Sequence, residues 1–210
     1  MLDSLVNLYD EFAKSGRMLE LQKLAQEQGL GFDKRAPFGI QPTAIKSFKI
    51  FQKKGTKRFI GIISDKLKDI DGTIRFYDYA RTRDLETFTR SVVEVRTDQL
   101  YADYLAIEPK GVFSKMKGYF TSEDIDFPEL KAFYDQFQIS TRDPDAGLIL
   151  QPSALDLIID QPNMHIEAEG NYFVFYTKKK ELPVQDVLGL MDFAEEFVTR
   201  LILDQSRDFV

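Results

Sequence analysis

Between Arg58 and Glu108 the chain repeats one arrangement four times, a short run of β-branched and aromatic residues followed by turn formers. Phe59-Ile60-Gly61-Ile62-Ile63 leads into Lys68-Asp69-Ile70-Asp71-Gly72, and Asp-Gly signals a tight antiparallel hairpin. Thr73 to Arg81 then alternates. Ile74, Phe76, Asp78 and Ala80 share one face; Thr73, Arg75, Tyr77, Tyr79 and Arg81 share the other, and the first set is expected to look into the core. Phe88 to Arg96 and Tyr101 to Glu108 complete the predicted four-stranded meander, which Pro109-Lys110-Gly111 closes.

The flanking sequence supplies helices and a second set of strands. Leu5, Leu8, Tyr9 and Phe12 recur at helical spacing, as do Met18, Leu21, Leu24 and Ala25, with Gly29 ending the second stretch. After the meander, short helices are predicted at Val112–Met116, from Pro128 to Tyr134 with Asp126 as cap, and from Pro152 to Asp160. Phe137 to Thr141, Met164 to Ala168 and Tyr172 to Thr177 read as three further strands. Pro183 opens the longest helix, whose stripe of Val184, Val187, Leu188, Met191, Ala194, Val198, Leu201 and Ile202 is suited to covering a sheet. The expected fold is α+β: an antiparallel meander, a second three-stranded antiparallel element and a C-terminal capping helix. Residues 1–33 are expected as appended helices and 34–210 as a single domain.

Composition excludes several chemistries. The 210 residues are 43% apolar, with 18 Phe and 9 Tyr, enough for a sizeable core, and no cysteine is present for a disulfide, a catalytic thiolate or a thiolate zinc site. No apolar run approaches membrane-spanning length and Met1-Leu2-Asp3-Ser4 lacks a basic leader, so a cytoplasmic location is expected. A net charge of −6 argues against nucleic-acid binding.

Hydrolytic and nucleotide motifs are missing as well: there is no Gly-x-Ser-x-Gly elbow, no Gly-x-Gly-x-x-Gly and no Walker loop. His165, the single histidine, falls on the polar side of its strand with Glu167 and Glu169 and is expected in solvent. The pairs Asp124 with Asp126 and Asp143 with Asp145 read as helix caps; the alternative is a carboxylate-based metal-dependent hydrolase. Asp78 breaks its pattern, a carboxylate on the core face, which marks either a binding site or a structural ion pair with Arg81 or Arg90.

Charge is unevenly placed. Lys34 to Ser64 carries eight basic and no acidic residues among Phe38, Phe48 and Phe51, making Lys46, Lys49, Lys53, Lys54 and Arg58 binding candidates. Ala44 to Gln52 is predicted helical with Ile45 and Phe48 inward and its lysines solvated. Glu123 to Glu169 holds eleven acidic and two basic residues, so opposite-signed surfaces are expected to guide association with a second copy or another protein.

Phe76-Tyr77-Asp78-Tyr79, Glu123-Asp124-Ile125-Asp126-Phe127-Pro128, and the Phe137 strand leading through Asp143 to Leu150-Gln151-Pro152 resemble an uncharacterised family of bacterial domains, over roughly Leu19 to Leu203. Members of that family are often soluble domains following membrane helices. Thr82-Arg83-Asp84-Leu85 stands where the family has a Gly-Ser-rich turn. The resemblance implies no activity. In topology the predicted elements are similar to a pleckstrin-homology-like barrel, a superfold that serves lipid, peptide and protein binding alike. The functional expectation is a noncatalytic binding or protein-interaction module without a cofactor, with a protein partner or self-association, and with peripheral membrane contact left open.

Overall fold

The computed structural model describes residues 16–36, 43–111, 120–121, 131–142, 149–178 and 181–205. Helix α1 (Gly16–Gln28) precedes strand β1 (Gly31–Arg35); a 3-10 turn (Thr43–Ser47) and α2 (Lys49–Gln52) lead into β2 (Thr56–Lys66), β3 (Thr73–Arg83), β4 (Glu86–Arg96) and β5 (Ala102–Pro109). Then follow β6 (Phe120–Thr121), α3 (Lys131–Gln136), β7 (Phe137–Thr141), α4 (Pro152–Ile159), β8 (Met164–Gly170), β9 (Tyr172–Thr177), a second 3-10 turn (Val184–Asp186) and α5 (Val187–Gln205). The chain is α+β. Its described strands form one antiparallel sheet in the order β1-β2-β3-β4-β9-β8-β5-β7-β6.

Two local predictions change in this order. The meander has four strands, but they are β1 to β4; the strand after Leu100 is separated from β4 by the β8–β9 hairpin. Val92 to Arg96 pairs instead with Tyr172 to Tyr176, and Thr97 donates to Asn171 O at 3.1 Å while buried Leu100 anchors the departing chain. Strand neighbours are chosen by such nonlocal pairings, to which local alternation is blind. The Asp71-Gly72 turn is also longer than a tight hairpin, because Leu67 and Ile70 tuck into the core and Leu67 N donates to Gly72 O at 3.2 Å. The tight two-residue turn lies between β3 and β4, where Asp84 and Leu85 both have positive φ, 51° and 69°.

Alternation puts the sheet's two sets of side chains into two separate cores. On one face Phe76, Val93, Val95, Ile107, Ile166 and Phe175 lie under α5, whose Val187, Ala194, Val198 and Leu201 are fully buried, as the apolar stripe required. On the other face Tyr77, Tyr79, Val92, Tyr104, Val174 and Tyr176 pack against Ile45, Phe48, Ile50 and Phe51. Tyr77 and Tyr79 are therefore also interior, while Thr73 and Arg75 at the start of the same set are exposed.

Helix α1 follows its predicted apolar seam, burying Met18, Leu21 and Ala25 and ending at Gly29, φ 69°. Gly61 lets it approach: its φ of 61° sits at a β-bulge between Ile60 and Ile63, and a Cβ there would lie 2.8 Å from Leu21 Cδ1. Strand β1 was not predicted, and it runs across the proposed boundary between residues 33 and 34 while pairing with β2. The first predicted helix and the Val112–Met116 helix lie outside the described residues.

Candidate functional site: a basic cleft on the second sheet face

The basic stretch reaches the sheet because its apolar residues do. Ile45, Phe48 and Phe51 are fully buried on the second face, and Lys46 is left exposed. Lys49 departs from the expectation of solvated lysines. Its Nζ donates to Glu108 Oε2 at 2.7 Å, in a pair whose side chains are 15% and 6% exposed.

The start of α2 explains the polar residues beneath it. Phe48, at the N-cap, has no oxygen to offer the first amides, so Glu167 accepts them from β8: Lys49 N to Oε2 at 2.6 Å and Ile50 N to Oε1 at 3.3 Å. Tyr104 and Tyr176 donate their hydroxyls to the same carboxylate at 3.2 and 2.7 Å. Burial raises the pKa of the Glu167 carboxyl, an effect that the Tyr176 hydroxyl, the two amides and the Lys49 charge offset only in part.

His165 is not in solvent. It is 5% exposed, stacked on Tyr176 with ring centroids 5.0 Å apart, and neither ring nitrogen has a hydrogen-bond partner among the described residues. Burial, with Arg90, Lys178 and Lys49 nearby, lowers its pKa to about 4, so the ring is neutral. Glu167 and His165 alternate with Met164 and Ile166 as a solvated face would, but the 43–52 segment covers that face.

Asp78 is ion-paired, with an unexpected partner. Arg17 of α1 supplies the charge through Nε to Oδ2 at 2.7 Å and Nη2 to Oδ1 at 3.0 Å, and Ser91 donates to Oδ1 at 2.7 Å. Arg17 also donates to Leu182 O at 2.6 Å, tying α1 to the approach to α5. Neither Arg81 nor Arg90 takes part. The β-strand period of two puts both on the face opposite Asp78.

That opposite face holds the candidate site. In the β3–β4 register Tyr79 lies across from Arg90 and Arg81 across from Phe88, so four side chains form a square on one side of the sheet. Ile50 and Lys53 close it from α2 and the turn after it, giving a cleft of about 170 Å³. Phe51 holds Tyr79 edge to face at 4.9 Å. Arg81 lies over the Phe88 ring at 5.0 Å and Arg90 over Tyr176 at 5.4 Å. Stacking on rings orients the two guanidinium planes without consuming their N–H donors.

Its electrostatics are one-sided. Among the described residues no carboxylate lines the cleft, and Lys53, Arg81 and Arg90 form no ion pair. The Tyr79 hydroxyl is buried with no hydrogen-bond partner among the described residues. Burial raises its pKa to about 12 against the pull of Arg81 and Arg90, so it stays protonated at neutral pH. A second cleft, about 290 Å³, runs past Phe59 and Ile62, but Asp33, Arg75 and Glu94 give it charges of both signs.

Of the candidates named from sequence, only Lys53 lines the cleft. Lys54 is exposed in the turn before β2, Arg58 is half-buried on β2, Lys46 is exposed and Lys49 belongs to the buried pair. Arg81, Arg90 and Tyr79 were missed as site residues; the signal was the run of aromatic and arginine residues on the face assigned to solvent. Asp124, Asp126, Asp143 and Asp145 lie outside the described residues, and no group of three metal-ligating side chains occurs among those described. Nor is any described helix long and apolar enough to cross a membrane.

No family model matches the chain, and no curated protein matches it. Among solved structures, the crystal structure of the mycobacterial trehalose monomycolate transport factor A aligns with a TM-score of 0.59 at 11% identity, covering 90% of this chain and 97% of that one. At that identity the similarity concerns the fold: this chain shares its α+β architecture with the mycobacterial transport factor over nearly the full length of both.

Proposed function

We propose that this protein is a noncatalytic binding module that takes up an anionic ligand in the cleft between α2 and the β3–β4 hairpin. One observation carries this: Lys53, Arg81 and Arg90 converge on a cleft with no described carboxylate, in a chain whose net charge is −6. Cations gathered against the overall charge are suited to holding a negative group. The shared fold with a protein named as a transport factor is compatible with carrying or recognising a ligand rather than transforming one. A protein partner or a second copy would meet the same surface with acidic side chains, although Lys49, already paired with Glu108, contributes no free charge to it.

The test is thermal unfolding at constant ionic strength, with chloride replaced by inorganic phosphate, by acetate or by citrate. A ligand that binds only the folded state raises the melting temperature. At least one of these anions is expected to do so, and Arg81→Gln is expected to abolish the rise. If no anion raises it above chloride, the proposal fails. Sedimentation at low and at 1 M salt then reads whether a second copy of the chain supplies the anion, since that contact weakens as the Debye length falls to about 3 Å.

A further inference from the structure

Resting on that assignment of the cleft, we infer that its ligand group is a phosphate monoester carried on a small apolar or aromatic body, held by Arg81, Arg90 and Lys53 with the Tyr79 hydroxyl as a further donor.

Donor geometry separates phosphate from carboxylate. A planar carboxylate is satisfied by one bidentate guanidinium fork, whereas the monoester presents three terminal oxygens and close to two negative charges. Here the donors come from separate elements: Arg81 on β3, Arg90 on β4 and Lys53 after α2. The two arginines are set by ring stacking rather than by a carboxylate, so their N–H groups are uncommitted among the described residues. Three cations leave one positive charge over with a dianion and two with a monoanion, so the dianion is the better match.

Tyr79 is the second, independent observation. It is 4% exposed, yet its hydroxyl has no hydrogen-bond partner among the described residues. Leaving a buried hydroxyl unmatched is costly, and a ligand oxygen would relieve it. The Tyr79 side chain lines the cleft, and its hydroxyl is near enough to Arg81 and Arg90 to feel both charges.

Size and lining describe the rest of the ligand. About 170 Å³ is below the roughly 300–1,000 Å³ of clefts that enclose drug-sized molecules, so the cleft takes a phosphate and what adjoins it. Ile50, 7% exposed, and Phe88, 48% exposed, offer apolar surface on the same walls as the cations. Such a group occurs on soluble phosphate esters and on phosphomonoester lipid headgroups, and the cleft chemistry is the same for both.

Calorimetric titration of the full chain with phenyl phosphate, inorganic phosphate and benzoate tests the inference. Phenyl phosphate is expected to bind more tightly than either of the other two. Tyr79→Phe is expected to weaken phenyl phosphate about tenfold, as loss of a hydrogen bond to a charged group does, and Arg90→Gln by about tenfold or more. Both variants must keep the wild-type melting temperature in ligand-free buffer; Tyr79→Phe should equal or exceed it, because an unmatched hydroxyl is removed.

Cosedimentation with phosphatidylcholine vesicles with and without phosphatidic acid separates the sources. Binding that requires phosphatidic acid and is lost in Arg90→Gln identifies a lipid headgroup. Binding of phenyl phosphate without vesicle capture identifies a soluble ester. Benzoate matching phenyl phosphate, or an affinity indifferent to Tyr79→Phe and Arg90→Gln, overturns the phosphate assignment while leaving the cleft an anion site. Absence of any anion binding overturns both.

Discussion

Arg17 and Asp78 are 61 residues apart in sequence and joined by two hydrogen bonds, at 2.7 and 3.0 Å, that fasten helix α1 to the middle of strand β3. The Asp78 side chain is only 4% exposed, so its charge depends on that one guanidinium and on Ser91. Arg17→Ala should destabilise the protein by about 3–5 kcal/mol, because it strands a buried carboxylate. The double change Arg17→Met with Asp78→Leu should cost much less. Urea unfolding measures both, and a wild-type midpoint for Arg17→Ala would show that Asp78 is satisfied in another way.

Glu167 gathers two backbone amides and two tyrosine hydroxyls on one carboxylate. Glu167→Leu keeps most of the volume and removes the acceptor for all four, at a cost of about 3 kcal/mol or more. Hydrogen exchange gives the local signature. The amides of Lys49 and Ile50 should lose protection ahead of those in β3 and β4; equal protection in the variant would remove Glu167 as the cap of α2.

His165 should make stability fall in mild acid. Its folded pKa of about 4 lies below the ordinary 6.5, so the unfolded chain takes up the proton first. Stability is therefore complete above pH 6.5 and is lost as the pH falls toward 4, by about 3 kcal/mol in all at roughly 1.36 kcal/mol per pH unit. Glu94 and Glu167, raised by burial, act in the opposite sense, stabilising below 4.5 and less so as the pH rises through their folded values. His165→Phe keeps the ring on Tyr176 and isolates the histidine. The difference between variant and wild type should widen from pH 7 to pH 4, and a constant difference would place the titration elsewhere.

Leu85 occupies a left-handed conformation, φ 69°, at the tip of the β3–β4 hairpin and is 99% exposed. Nothing is lost by removing its side chain, and glycine adopts that conformation without steric cost. Leu85→Gly should raise stability by about 0.5–1 kcal/mol, the left-handed penalty less the extra chain entropy of glycine. An unchanged or lowered melting temperature would mean that the turn conformation differs in solution.

Local pattern was sufficient wherever one period and one partner decide the outcome. The stripe from Val187 to Leu201 specified a helix lying on a sheet, Gly29 ended α1, and the alternation of Thr73 to Arg81 placed Asp78 and Tyr79 on opposite faces, as they are. Alternation does not say how many faces are covered. His165, Glu167 and Lys49 look like solvated residues in sequence and are interior or paired because Ile45, Phe48 and Phe51 bring the 43–52 segment down over them.

The cleft belongs to the same class. Lys53, Tyr79 and Arg90 are spread over 38 positions, and only the β3–β4 register and the placement of α2 join them. Asp78 shows the limit most simply: its burial followed from its neighbours at positions 76 and 80, but its partner came from a helix 61 residues away. Side-chain period is a property of the backbone and is legible in the chain itself, whereas the identity of a charge's partner is settled by which surfaces pack together.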